Sequence, residues 1–103
     1  MEKKILVVKK EPGKAPVVDN AFDNSLKSFQ QAVEGYIETV TFSKNFVVIC
    51  NEEGRLLDLP YNTTLFGIDF YGTIVIAGTE DEDFASLRSS GVPMVLKLLK
   101  EEK

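Results

Sequence analysis

The sequence contains no histidine and no tryptophan, and its only cysteine is Cys50. Without histidine, the chain cannot form a Ser-His-Asp or Cys-His catalytic site, and it lacks the commonest zinc, copper and non-haem iron ligand. A single cysteine cannot form a disulfide within the chain or supply a thiolate metal cluster. No glycine-rich segment matches a phosphate-binding loop or a dinucleotide fingerprint. We therefore expect no metal, no organic cofactor and no self-sufficient enzyme.

Long apolar runs are also missing. None approaches the ~18 consecutive residues that a membrane-spanning helix needs. The N-terminal segment has only four apolar residues in a row, Ile5–Val8, whereas a secretory signal has an apolar core of roughly 7–15 residues. A lone cysteine also suits a reducing compartment. These features predict a cytoplasmic protein with no membrane partner.

The composition that remains is typical of one folded domain. With 103 residues, 44% of them hydrophobic, the chain can bury a core without disulfides or a metal ion and is too short for two domains. The prediction is therefore a single domain over residues 1–103. The net charge of -4 is mild and argues against a dedicated nucleic-acid coat protein.

Hydrophobic periodicity predicts a sheet. Short apolar runs and period-two alternation indicate strands at 5–8, 36–42, 46–50, 55–57 and 68–77. The polar segment 43–45 separates two of these strands as a hairpin connection. A short strand at 17–18 is a further candidate, and 84–87 is a candidate to return to the sheet edge. Gly72, inside the last long strand, indicates a bulge or a bend.

Two segments change to helical spacing. The first has its apolar stripe at Leu26, Phe29, Ala32 and Val33. We expect Asp23 or Asn24 to cap its start and Gly35 to end it in the left-handed conformation. The second helix follows 89–91, with Pro93 in its first turn. This order predicts an α+β fold, a mainly antiparallel sheet of about four to five strands with two helices packed on one face.

Three segments of the chain carry a resemblance to a family: Gly35–Glu38, Ile49–Gly54 and Leu56–Pro60. There the chain resembles the domain-of-unknown-function family thirty-eight-forty-six, small proteins of bacteria, phages and conjugative elements. The matching order runs from Pro12–Lys14 to Phe84–Leu87, which is nearly the whole chain. The segment 61–66 is shorter than the resemblance leads us to expect, and 89–93 replaces an acidic, threonine-capped helix start. The resemblance implies an accessory role in a mobile genetic element and supplies no reaction.

Cys50 and the scattered carboxylates are the remaining candidates for chemistry. Cys50 ends an apolar strand, where cysteine acts as a small hydrophobe, so we expect it to be buried and slow to react. A nucleophilic role would need an exposed thiol with a lowered pKa. Glu38, Glu52 and Glu53 could act as paired carboxylates only in a desolvated cleft. We favour solvated or hydrogen-bonded structural roles for them.

The segment 61–66 is predicted to be a loop, and it carries two aromatic residues. Aromatic residues exposed on loops favour binding. With the turn that follows Cys50, it supplies the candidate partner-binding residues, which are Tyr61, Asn62, Phe66, Asn51 and Glu52. The alternative is that Leu65 and Phe66 pack into the sheet.

Lysines crowd both ends of the chain, while acids fill the middle. A basic patch would consist of Lys9, Lys10, Lys14, Lys97 and Lys100 if the first strand and the last helix are neighbours. Such a patch could hold a phosphate backbone. The alternative, which we favour, is that lysines beside a strand protect its edge from aggregation. No aromatic residue is interleaved with these lysines, and an arginine accompanies them only at Arg88.

Two functions follow from this sequence. The favoured hypothesis is a small non-catalytic protein-interaction or accessory module of a mobile genetic element, which binds an unidentified protein through the sheet edge and the 61–66 segment. The alternative is a weak nucleic-acid-binding module that uses the lysine-rich face. An enzymatic function would need a complete site supplied by a partner subunit, and we rank it last.

Overall fold

The computed structural model describes residues 3–42, 46–81 and 83–101. The predicted hairpin connection at 43–45 lies outside the described residues. The strands are β1 (Lys4–Lys10), β2 (Val17–Asp23), β3 (Ile37–Thr41), β4 (Val47–Asn51), β5 (Tyr61–Leu65), β6 (Ile68–Tyr71), β7 (Ile74–Glu80) and β8 (Asp83–Ala85). The helices are α1 (Leu26–Val33) and α2 (Val92–Glu101), the second preceded by a 3-10 turn at Ser89–Gly91.

The sheet is antiparallel throughout, and the α+β class is confirmed. Five strands follow the order β2-β1-β7-β4-β3, and β8 pairs with the end of β7 to make a six-stranded sheet. A separate two-stranded sheet is formed by β5 and β6. The sheet has more strands than predicted because both candidate edge strands belong to it. The 17–18 strand extends to Asp23 and pairs along most of β1, and Asp83–Ala85 pairs with β7.

The two helices, expected on one face of the sheet, pack on opposite faces. Phe29 of α1 lies in one core cluster with Val75, whereas Val95 of α2 lies in another with Ile76. Successive strand residues point to opposite faces, so neighbours in β7 belong to different clusters. The reason is that β4 and β7 are apolar on both faces, and each face needs its own cover.

The first helix begins and ends one residue away from the predicted caps. Ser25, and not Asp23 or Asn24, is the N-cap, since its Oγ accepts a hydrogen bond from the Ser28 N–H at 3.2 Å. Glu34, and not Gly35, takes the left-handed conformation, with φ 65°. Gly35 is needed for a different reason, because a Cβ there would lie 2.7 Å from Asn51 Nδ2.

The segment between β4 and β7 departs most from the prediction. Residues 55–57 form a turn and not a strand, closed by hydrogen bonds such as Leu57 N–H to Glu53 O at 2.8 Å. Residues 61–65 are strand β5 and not a loop. The predicted strand 68–77 bends at Gly72, where φ is 80°, so that β6 leaves the main sheet and pairs with β5. This hairpin covers the same face as α2, with Leu65 and Phe70 in the core.

Candidate functional site

The β5–β6 hairpin has a two-residue turn that contains a residue type rarely found in such turns. Leu65 pairs with Ile68, and the two residues between them, Phe66 and Gly67, have φ angles of 50° and 83°. A type I′ hairpin turn needs positive φ at both positions and favours asparagine, aspartate or glycine there. For a bulky residue such as Phe66 this backbone is a steric outlier, at a cost of about 1–2 kcal/mol.

Phe66 is also exposed to solvent. Its exposed fraction is 65%, and its ring rests on Phe42, with the ring centroids 5.0 Å apart. Ile68, on the other side of the turn, is 41% exposed. The tip of the hairpin therefore presents a large apolar side chain to water in a backbone conformation that disfavours it. We call Phe66 and Ile68 the hairpin tip.

The outer face of the hairpin is held by polar contacts. The Tyr61 hydroxyl bonds Thr64 Oγ1, whose hydroxyl reaches Asp69 Oδ1 at 2.6 Å. The Tyr61 and Tyr71 rings meet edge to face at 5.8 Å. Arg55 donates to the Tyr71 hydroxyl at 3.2 Å and pairs with Asp69 at 3.8 Å. These contacts join the turn after β4 to β6 and, through Thr64 and Tyr61, to β5.

An open groove of about 200 Å³ runs between this hairpin and the edge of the main sheet. We call it the β6 groove, and its lining residues are Glu38, Val40, Cys50, Asn51, Glu52, Gly54, Arg55, Ile68, Asp69, Phe70 and Tyr71. Its floor is apolar, formed by Val40 and the buried Phe70, while carboxylates lie on both walls. Ile68 belongs both to the groove and to the hairpin tip, so the two surfaces are continuous.

Four of the predicted partner-binding residues contribute to this surface. Tyr61 and Phe66 are exposed, and Glu52 is exposed and lines the groove. The alternative that Leu65 and Phe66 both pack into the sheet holds for Leu65 only, which is 3% exposed. Asn51 lines the groove with a side chain that is largely buried, and its contact with a partner stays a prediction. The prediction that Asn62 contacts a partner is wrong, because its side chain is buried and hydrogen-bonded within the fold.

Asn62 holds two distant backbone segments together. Its amide donates to the carbonyls of Lys10 at 2.8 Å and Gly72 at 2.7 Å, and its Oδ1 accepts from Lys10 Nζ at 3.3 Å. Asn51 does the same at the end of α1. Its amide donates to Val33 O at 3.0 Å, and its Oδ1 accepts from the Glu53 N–H at 2.7 Å. Both asparagines therefore stabilise the fold.

Cys50 is buried, as predicted. Burial, and secondarily the Glu38 charge, raises the pKa of the Cys50 thiol to about 11. Its Sγ donates to the Glu38 carbonyl at 3.6 Å. The thiol is therefore protonated at neutral pH, and a protonated thiol is a poor nucleophile.

The predicted lysines do not form one basic face. Lys9 and Lys10 are adjacent in β1 and so point to opposite faces of the sheet. Lys10 is only 7% exposed, and its Nζ donates inward to Asn62, so it cannot belong to a surface patch. Lys9 and Lys14 both pair with Glu11, at 3.8 and 3.2 Å. The other two predicted lysines, Lys97 and Lys100, are exposed on α2.

Arg55, Tyr71, Phe42 and Ile68 belong to the candidate surface and were not predicted from the sequence. A residue followed by glycine between two apolar segments is typical of a hairpin turn. The Phe66–Gly67 pair could therefore have identified Ile68 as the residue that follows the turn. No local signal points to Arg55, because its partners Asp69 and Tyr71 lie on β6, with strand β5 between them and Arg55 in sequence. Within the described residues, no group of three or more metal-ligating side chains is arranged around one point. Nor is any described helix long and apolar enough to cross a membrane.

Comparison with known proteins gives one result. Residues 3–100 match the model of a family described as Domain of unknown function (DUF3846). No curated protein and no solved structure matches the chain. The match agrees with the resemblance seen in the sequence and assigns no activity.

Proposed function

We propose that this chain, which belongs to the DUF3846 family, is a non-catalytic protein-binding module whose recognition surface is the β5–β6 hairpin. The observation that carries the proposal is Phe66, 65% exposed at a φ of 50°. Backbone strain in folded proteins concentrates at functional sites, and exposed aromatic side chains are the commonest anchors of interfaces. An asparagine would suit the turn better, so a role outside the fold explains the phenylalanine.

The surroundings of Phe66 support an interface. Tyr61, 44% exposed, and Arg55 are of the residue types enriched at binding hot spots. Tyr71 joins them, because the Arg55 guanidinium carbon lies 5.2 Å from the centre of its ring. Side chains already held in place lose little conformational entropy when a partner binds.

The Cys50 thiol lines the groove but is protonated and a weak nucleophile at neutral pH, which supports a role for this surface without thiol chemistry. The resemblance to proteins of phages and conjugative elements supports a partner encoded by the same mobile element. A cytoplasmic location accompanies that proposal, because a lone cysteine suits a reducing compartment.

Site-specific photo-crosslinking tests the proposal. A photoreactive benzoylphenylalanine is placed at Phe66 or, as a control, at Val17, which is 60% exposed on the distant strand β2. Both proteins are irradiated in an extract of the cells that naturally contain the chain. We expect a discrete protein adduct from position 66 only, suppressed by excess unmodified protein and not by the Phe66→Asn variant. Equal adducts from both positions, or none from position 66, would overturn the proposal.

A further inference from the structure

The lining of the β6 groove shows how each strand meets it. From β3, only Glu38 and Val40 line the groove, and these alternate residues lie on one face. From β6, all four consecutive residues line it, from Ile68 to Tyr71. A strand whose alternate residues line a groove presents its face, whereas one whose every residue lines it presents its edge. The groove therefore runs along the edge of β6.

Part of that edge is open to pairing, around Asp69. At Tyr71 the turn after β4 covers the edge, since a Cβ on Gly54 would lie 2.9 Å from the Tyr71 carbonyl oxygen. Among the described strands, β6 pairs only with β5. The residues that close the turn form a hydrogen-bonded pair, and the alternation of an antiparallel ladder then directs the Asp69 N–H and C=O away from β5, toward the groove. None of the described loop and turn backbone hydrogen bonds involves residues 68–71. A two-stranded sheet gains most from a third strand.

The charged side chains of the groove define the charge that a bound ligand would carry. Three exposed carboxylates, those of Glu38, Glu52 and Asp69, face one guanidinium, that of Arg55. Because Arg55 already pairs with Asp69, the two glutamates give the groove a net negative charge. Glu38 also raises the pKa of the Cys50 thiol, as expected of a negative charge directed over the floor. The floor between these charges is apolar.

We propose that the β6 groove binds an extended segment of a partner protein, added to β6 as a third strand, with cationic side chains alternating with apolar ones. The apolar side chains would lie on Val40 and Phe70, and a lysine or arginine would face Glu38 and Glu52. This proposal rests on the proposed function and names the chemistry of its partner. Since the open part of β6 runs from Ile68 to Phe70, the paired segment spans about 10 Å.

A displayed library of random peptides of roughly ten residues, long enough to cover the paired segment, provides the probe. The full chain, immobilised through an added N-terminal tag, selects binders, and the best peptide is measured by fluorescence anisotropy. We expect enriched peptides to alternate β-branched with basic residues. The Glu38→Gln, Glu52→Gln double variant should bind the best peptide about three- to tenfold more weakly, as for the loss of two exposed charge pairs. The control variant Glu80→Gln, at the far end of β7, should bind it unchanged.

A second version of the best peptide separates strand addition from simple charge attraction. Methylating alternate backbone nitrogens removes the ladder donors and keeps every charge, and it should weaken binding at least about tenfold. Enrichment of acidic peptides, no enrichment, or equal affinity of the methylated peptide would overturn the inference. If the Phe66 adduct forms and no such peptide is selected, the proposed function stands and this inference falls. If basic peptides bind the groove but no adduct forms, the hairpin tip is not the recognition surface.

Discussion

At the scale of single residues, two buried asparagines connect parts of the chain that lie far apart in sequence. Asn62 bonds Lys10, 52 positions away, and Gly72. A buried donor or acceptor left without a partner costs its full desolvation penalty, of about 1–3 kcal/mol. The side chain of Asn62 therefore contributes to stability mainly through the carbonyls that its loss would leave with one donor fewer. The Lys10 ammonium would keep its bond to the Glu11 carbonyl, at 3.0 Å.

Replacing Asn62 and its neighbour should have opposite consequences. Asn62→Ala removes three hydrogen bonds at a buried site and should lower the free energy of unfolding by about 2–4 kcal/mol. Thr63→Val should leave that free energy unchanged or raise it by up to ~1 kcal/mol, because the buried Thr63 Oγ1 has no hydrogen-bond partner among the described residues. Urea denaturation measures both. A clear loss of stability in Thr63→Val would mean that the hydroxyl is satisfied in solution.

Cys50 should make stability depend on alkaline pH. The thiol pKa is raised from 9.0 to about 11 in the folded chain, so folding favours the neutral form. Its contribution is fully present below pH 9 and is lost as pH rises through 11. Between pH 8 and pH 10.5, the free energy of unfolding should therefore fall less in Cys50→Ala than in the parent chain. Equal falls in the two proteins would show that the folded thiol is not perturbed.

The same burial should slow the labelling of Cys50. At pH 8 a thiol reagent should modify the native chain far more slowly than the chain unfolded in urea, since both access and thiolate fraction are reduced. Labelling of the native protein near the unfolded rate would show that the groove floor opens readily.

At the scale of elements, the β5–β6 hairpin is the part whose sequence and conformation disagree. The turn imposes positive φ on Phe66, and the aromatic contact with Phe42 offsets part of that cost. Asparagine accepts this backbone more easily than alanine does, since its short polar side chain bonds locally.

Two substitutions at the turn separate strain from binding. Phe66→Asn should change the free energy of unfolding by less than about 1 kcal/mol, because relief of strain offsets the lost ring contact. Phe66→Ala keeps the strain and loses the contact, so it should be about 1 kcal/mol less stable than Phe66→Asn. Both should fail to compete for the Phe66 crosslink. If Phe66→Asn competes as well as the parent chain, the hairpin tip is not a recognition surface, whatever the stabilities.

The elements differ in how far the sequence could predict them. The helices and β1, β3 and β4 follow from apolar periodicity, which is a local signal. Strand β5 was missed because Asn62 and Thr63 are polar yet buried, and Asn62 finds its partners on the distant residues Lys10 and Gly72. The burial of Lys10 itself runs against the strong preference of lysine for solvent. Such contacts depend on which strands become neighbours, and composition does not determine that.

At the scale of the whole molecule, one sheet is covered on both faces, by α1 on one side and by α2 with the hairpin on the other. The ends of its main strand order are β2 and β3. The β6 groove lies at the β3 end, whereas Lys9 pairs with Glu11 at the other end of the order, beside β2. The groove with its exposed carboxylates and the paired lysine Lys9 therefore lie at opposite ends of the strand order.

This charge distribution predicts weak or no binding of nucleic acid. A duplex is held by lysines and arginines that share one face, and each neutralised phosphate makes binding more sensitive to salt. Here Lys10 is buried, Lys9 and Lys14 pair with Glu11, and the net charge is -4. We expect no detectable binding of a labelled duplex of about 20 base pairs near physiological salt, measured by fluorescence anisotropy. The Lys97→Gln, Lys100→Gln variant should behave identically. A dissociation constant in the low micromolar range that weakens steeply with salt, and further in that variant, would instead establish α2 as a phosphate-binding face.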